Sequence, residues 1–291
     1  MHKYMRSIGF SKLNRKEIQR LVTDVVVNAP TRAYTSLDDD NIIASFSKEV
    51  APGIGLTVVG EFDEEDNFSY DYYFPYIEPT DISTEEDVSV ERHAATESYS
   101  GVFEDVRMGV SVIFYLQNMI PYIKALRSDI LPMQGTTLSL SALSLDGIIL
   151  MPLKKTAKDM VNNIKTSRSR AKLIMAARSG DEEAIENLTL KDMDTYTSIA
   201  EKIHHEDVFS LVDTYFMPYG IECELYSIMG EILSYELVTN SLTGEEMYRM
   251  SIVCNDIQMQ LLVNKADVYG EPGVGRRYKG TIWLQGKINF P

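Results

Sequence analysis

The chain has 291 residues, 44% hydrophobic and 24% charged, a balance that excludes global disorder and suits one or two globular domains. Its formal charge of −15, from 28 Lys and Arg against 43 Asp and Glu, disfavours phosphate backbones and anionic membranes on average. Two cysteines, Cys223 and Cys254, are too few for a disulfide framework.

The charge is laid out in blocks. Residues 1–23 and 276–291 are basic, 24–153 and 181–275 are strongly acidic, and 154–180 carry eight bases and one acid. Two acidic bodies therefore flank a basic bridge. No apolar run is long enough for a signal peptide or a membrane span, so the expectation is a cytoplasmic protein with no membrane association.

Asn14 with Glu17 three residues on has capping-box spacing, and Ile18, Leu21, Val22 and Val25 form an apolar stripe. Together they predict a helix over 14–27 that ends before Pro30. Strands are expected over 41–50, 54–62 and 68–77, and the acidic run Asp63–Asn67 makes 54–77 a hairpin. Residues 78–96 read as an acidic surface excursion. Strand character returns over 97–117, broken near Glu104-Asp105. Pro121 opens a short helix over 121–130, and 136–152 reads as two short strands around a turn at Asp146-Gly147. A helix follows over 153–178 and stops at Gly180, then Asp181 caps a second over 182–188, and a third covers 190–204. Beyond 207 the apolar residues alternate. Ile221, Cys223 and Leu225 share one parity, as do Met250, Ile252 and Cys254, then Ile257, Met259 and Leu261, then Ile282, Leu284 and Ile288. Turns fall at Thr243-Gly244, Asn255-Asp256 and Pro272-Gly273. The fold expected is α+β: an antiparallel sheet domain over 1–152, a helical bridge over 153–205, and a small β-barrel or strongly curled sheet over 206–291.

Gly270–Arg277 imitates a phosphate-binding P-loop. That loop needs a Lys, a hydroxyl and a following helix, whereas here both positions are Arg and a strand-like run follows. A turn is the plainer reading, with Arg276, Arg277 and Lys279 as a small anion patch. Lys154, Lys158, Lys165 and Lys172 fall on one helical stripe with Arg168 beside it. Such a stripe can dock on an acidic partner, track phosphates, or lie as a solvated face between the two acidic bodies. Phe68, Tyr70, Tyr72, Phe74 and Tyr76 share one parity. They form a core face, or a stacking surface on which Tyr70 and Tyr72 meet a ligand. Trp283 has the parity opposite to Ile282 and Leu284, so it is either a contact residue or covered. His93 with Glu97, and His204-His205, fall short of a metal set. Cys223 and Cys254 match the apolar parity of their strands and read as core thiols. No nucleophile elbow, zinc-protease or dinucleotide motif occurs. The expectation is no catalytic residue, no metal and no cofactor. The leading function is a non-enzymatic interaction or adaptor protein with a protein partner. The alternatives are a module for a sugar, peptide or nucleotide, and salt-sensitive nucleic-acid binding.

The opening MHKYMRSIGFSKLNRKE, the central AARSGDEEAIENLTLKDMDTYTSIA, the stretch EDVFSLVDTYFMPYGIECELYSIMGEI and the ending GEPGVGRRYKGTIWLQGKINFP carry a resemblance that runs end to end. The chain resembles a family of uncharacterised clostridial proteins catalogued as a domain of unknown function. The resemblance implies a soluble bacterial protein and transfers no site. For the lysine stripe, replacing Lys154, Lys158, Lys165 and Lys172 with Glu is expected to abolish capture of an acidic partner at unchanged circular dichroism. Unchanged capture would remove the stripe as a docking element.

Overall fold

The computed structural model describes residues 2–37, 41–93, 97–105, 107–108, 110–131, 135–152 and 213–291, together with isolated positions between 169 and 187. The expected bridge over 153–205 and its lysine stripe lie outside the described residues, apart from those positions. One of them is Asp181, whose Oδ1 accepts from the backbone N–H of Glu183 and Ala184 at 3.0 and 3.1 Å, the capping role expected of it.

The chain opens with a 3-10 helix over Lys3–Ile8 and then α1 (Arg15–Asn28). Asn14 Oδ1 accepts from Lys16 and Glu17 N–H, and Glu17 returns a bond to the Asn14 N–H at 2.8 Å. This is the capping box the spacing called for. Ile18, Val22 and Val25 are the buried stripe.

β1 (Thr31–Ser36), β2 (Ile42–Ala51), β3 (Ile54–Phe62) and β4 (Phe68–Ile77) form an antiparallel four-stranded sheet in chain order. α1 packs on β2 and β3. The sheet is covered on both faces, so β3 is buried along seven successive residues instead of alternating.

The second sheet holds β5 (Val88–Arg92), β6 (Tyr99–Glu104), β7 (Ser111–Leu116), β8 (Thr137–Leu150), β9 (Tyr215–Pro218), β10 (Leu225–Thr239), β11 (Glu246–Cys254), β12 (Ile257–Asn264), β13 (Val268–Tyr269) and β14 (Arg277–Asn289). α2 (Met119–Arg127) joins β7 to β8. β8 pairs with β12 in parallel, and β12–β11, β11–β10, β10–β14 and β14–β8 pair antiparallel. The circuit is a closed five-stranded barrel. Ala142, Met250, Ile252, Leu261, Ile282 and Leu284 are fully buried and fill it. All but Ala142 carry the alternation expected beyond residue 207, which the barrel bears out there, whereas Ile221 and Cys223 are exposed and Leu225 pairs with Trp283 on the outer wall. Its first strand, β8, lies before residue 152, so the barrel draws on both sides of the boundary expected there. Strand dominates the described residues, and the helical share of the α+β expectation is small.

Three local expectations are corrected. Residues 136–152 are one strand, β8, and Asp146-Gly147 is no turn. Gly147 pairs with Gly280, and a Cβ at either would strike the Tyr278 side chain. The two glycines make room for that buried ring, whose hydroxyl donates to Asp146 O at 2.8 Å. Within 78–96, Ser83 and Thr84 are buried and β5 is a true strand. Cys223 is exposed, since β10 begins at Leu225 and Cys223 stands in the turn before it.

β14 carries the sheet out of the barrel. Gln285 and Gly286 pair with Tyr115 and Leu116 of β7, and β6 and β5 follow. A buried polar tie joins this junction to the four-stranded sheet. Gln117 Nε2 donates to Ile77 O, Ser141 Oγ and Gln285 Oε1 at 3.0, 3.1 and 2.8 Å, and Gln285 Nε2 donates to Pro75 O at 2.9 Å. Every buried amide in it is thereby satisfied.

A second tie fixes the β6–β7 turn. Asp105, 2% exposed, accepts from the Arg107 guanidinium, from Arg107 N–H and from Thr84 Oγ1. Arg107 also donates to Asp256 O at 2.8 Å in the β11–β12 turn. Burial alone would raise the Asp105 pKa, but the Arg107 bonds outweigh it and hold the carboxyl below its ordinary value. Arg107→Met is expected to cost about 2–3 kcal/mol in urea unfolding, because it removes the guanidinium that neutralises a buried carboxylate. A depressed carboxyl contributes its stability above its unfolded pKa and loses it as pH falls, so the deficit should shrink in acid. A deficit that is absent at neutral pH would remove Arg107 from this role.

Candidate functional site

The β5–β6 hairpin and α2 enclose a groove of about 1080 Å³. Val88 pairs with Phe103 and Val90 with Gly101, so these side chains share one face. Across from them stand Tyr122 and Leu126 of α2 and the chain end at Ile288 and Phe290. The floor is apolar, with Phe103 buried and Leu126 52% exposed at the opening. Glu86, Asp87 and Glu104 mark the rim, and the lining holds no Lys or Arg. β5 ends its sheet, and no other strand among the described residues pairs with its outer edge.

A polar cluster lies at the other end of the hairpin. His93 Nδ1 and Ser98 Oγ are 2.8 Å apart, and His93 Nε2 and Ser100 Oγ 2.5 Å. Ser100 Oγ donates to Glu224 Oε1 at 2.6 Å. The grouping has the residue types of a hydrolytic triad, but Ser98 and Ser100 are 4% and 6% exposed. Their hydroxyls are closed off by the bonds that tie the hairpin to the start of β10. His93 and Glu97 do not converge as they would on a helix. His93 bonds to Ser98 and Ser100, while Glu97 pairs with Arg92 at 2.7 Å and accepts from Tyr99 OH at 3.0 Å.

Trp283 is 6% exposed. Tyr4 stacks on it at 5.4 Å, and His2 and Tyr115 lie 4.7 and 5.0 Å away. Its parity is outside the barrel, and the N-terminal segment covers it. Burial, and then Lys3, lower the His2 pKa to about 4, so this ring stays neutral over the tryptophan.

A bulge between Val59 and Gly60 breaks the aromatic row. Val59 pairs with Tyr72 and Gly60 with Tyr70, so these two tyrosines fall on opposite faces. Tyr70 is 48% exposed, while Tyr72 donates to Glu97 O at 2.8 Å. Sequence parity could not show the inserted residue.

Gly270–Arg277 is a turn into β14, as the plainer reading held. Arg276 Nη1 donates to Glu271 O at 2.7 Å, and Gly275 N–H to Ile232 O at 2.8 Å. Arg277 is 5% exposed and donates to Met151 O, while Arg276 and Lys279 are half-buried. Lys154, Lys158, Lys165, Arg168, Lys172 and His204-His205 lie outside the described residues. No group of three or more His, Cys, Asp or Glu among the described residues could hold a metal ion. No helix among them is long and apolar enough to cross a membrane.

A family model described as "Domain of unknown function, E. rectale Gene description (DUF3881)" matches residues 5–286. The chain belongs to the DUF3881 family. This bears out the resemblance to clostridial proteins of unknown function. No curated protein and no solved structure matches the DUF3881 chain. The family span takes in the whole β5–β6 hairpin and α2.

The groove residues were not singled out by their sequence. Their signal is the short alternation Val88-Ser89-Val90 inside an acidic stretch, which reads equally as a surface loop. The two thiols of the DUF3881 chain separate cleanly. Cys254 is buried, its Sγ lies 2.9 Å from Tyr215 O and 3.3 Å from Met229 O, and burial pushes its pKa up to about 12. Iodoacetamide is expected to label the native chain once, at Cys223, and a second time only in denaturant. Native labelling at Cys254 would contradict the closed barrel.

Proposed function

We propose that the chain is a non-enzymatic interaction protein that receives a partner in the groove between the β5–β6 hairpin and α2. The groove itself carries this reading. It joins an apolar floor, an acidic rim and a strand edge that no other strand among the described residues pairs with, which is how protein-docking sites differ from solvated surface. The hydroxyls nearest a catalytic pattern, Ser98 and Ser100, are buried and bonded, which lends the enzyme reading no support. The small-ligand reading has less behind it, since Trp283 and Tyr72 spend their rings on neighbouring residues. A cytoplasmic setting fits the two free thiols.

The test is affinity capture from extract of the source cell, with wild type beside a Val90→Lys/Leu126→Lys variant of matched circular dichroism. A protein identified by mass spectrometry, held in equal amount by wild type and lost with the variant, is the expected result. Identical capture by both would move the interaction away from the groove.

A further inference from the structure

We infer that the occupant of the groove is an extended segment of another protein, apolar and basic in alternation, which adds a strand to the outer edge of β5. This inference rests on the groove being the docking site.

Three observations select this occupant. The first is the edge. β5 gives one side to β6 and leaves the other without a strand partner among the described residues. Five residues at about 3.3 Å each offer a ladder to a peptide of similar length. The second is the direction of the side chains. Val88 and Val90 share one face with Phe103, while Ser89 and Glu91 share the other with Val102 and Ser100; Ser89 and Val102 border the groove at its edge. A strand laid beside β5 continues that alternation. Every second side chain enters the apolar floor between Val90, Tyr122 and Leu126, and the intervening ones reach the other face. The third is charge. Glu85, Glu86, Asp87, Glu91 and Glu104 are all exposed around this edge. Arg92, at the end of β5, pairs with Glu97 at 2.7 Å, and Arg107 is held by Asp105. Lys or Arg at the intervening positions meets Glu91 on that face, with Asp87 beside it.

The same carboxylates disfavour a second copy of the chain. Pairing two β5 edges would bring Glu86, Asp87 and Glu91 of both copies together, and like charges across a strand pair are destabilising. Charged edges are also how sheets avoid pairing with themselves. The acids thus reject the chain's own edge and admit a basic one.

The test uses the full-length chain and a labelled seven-residue peptide alternating lysine and isoleucine, read by fluorescence anisotropy. In a strand, the backbone groups of alternate residues point to opposite sides. Two N-methylated versions are therefore made, one methylated at the isoleucines and one at the lysines. The expected result is binding by the parent peptide that weakens as salt is raised. One methylated version should lose at least about tenfold in affinity and the other change by less than about threefold. Glu86→Lys/Asp87→Lys, placed at exposed positions, should weaken the parent peptide at unchanged circular dichroism.

Equal tolerance of both methylated versions would mean recognition by side chains alone and would overturn strand addition. Loss by both would point to a helical occupant and overturn it too. In either case groove-dependent capture of a partner would still stand, so the two readings fail separately. No binding by the parent peptide, or an edge-dependent dimer in sedimentation, would overturn the inference outright.

Discussion

A β-strand has two edges, and the way β14 spends its two sets the architecture. One edge pairs with β8 along Arg277–Asn289. The other is divided: Arg277–Trp283 pairs with β10, and Gln285–Gly286 with β7. The first half of β14 therefore closes a barrel and the second half leads out of it. A strand of ordinary length could do one or the other. At thirteen residues, β14 does both, and everything from β7 to the β5 edge hangs on its last turns of ladder. β14 thus joins the barrel to the sheet that carries the groove hairpin.

This arrangement leaves the outer wall of the barrel to be covered. Trp283 lies on that wall, and the N-terminal 3-10 helix seals it with Tyr4. Ser7 Oγ donates to Ser144 O at 2.7 Å, and Asn240 Nδ2 to Ile8 O at 2.8 Å. Further along the wall, Gln285 and Ser141 are polar, which would be costly against an apolar neighbour. There Gln117 Nε2 donates to Ser141 Oγ and Gln285 Oε1, and Gln285 Nε2 donates to Pro75 O. Apolar cover secures one part of the barrel, and a complete hydrogen-bond network fixes the seat of the four-stranded sheet. Such a network sets orientation more than it adds stability.

Much of this was legible because local chemistry and tertiary context agree. The Asn14–Glu17 capping box is written in four residues, and the structure contains it. The strands over 42–51, 54–62 and 68–77 follow from β-rich runs cut by turn residues. Asn255-Asp256, both at positive φ of 50° and 62°, make the tight hairpin that such a pair favours. What was illegible depends on partners distant in the chain. Gly147 looked like a turn because the ring it accommodates, Tyr278, is 131 positions away. Cys223 looked buried because its parity matches Leu225, yet the strand starts after it. The bulge beside Tyr70 and Tyr72 left no mark in the spacing. The groove drew least notice of all. Its parts come from residues 86–104, 122–136 and 288–290, and nothing local announces that they meet.

The functional reading follows from the same geometry. Among the described residues the second sheet ends on β5, with Val88 and Val90 on one face and carboxylates around it, and the proposed docking rests on that arrangement. The central claim beneath it is that β8 and β14, from opposite halves of the chain, close one barrel. Hydrogen exchange read by mass spectrometry tests this most directly. Amides of β8, β10, β11, β12 and β14 should exchange together as the slowest unit, with β5 exchanging faster at its edge. Early exchange of β8 while β10, β11 and β12 stay protected would contradict the closed barrel and the architecture built on it.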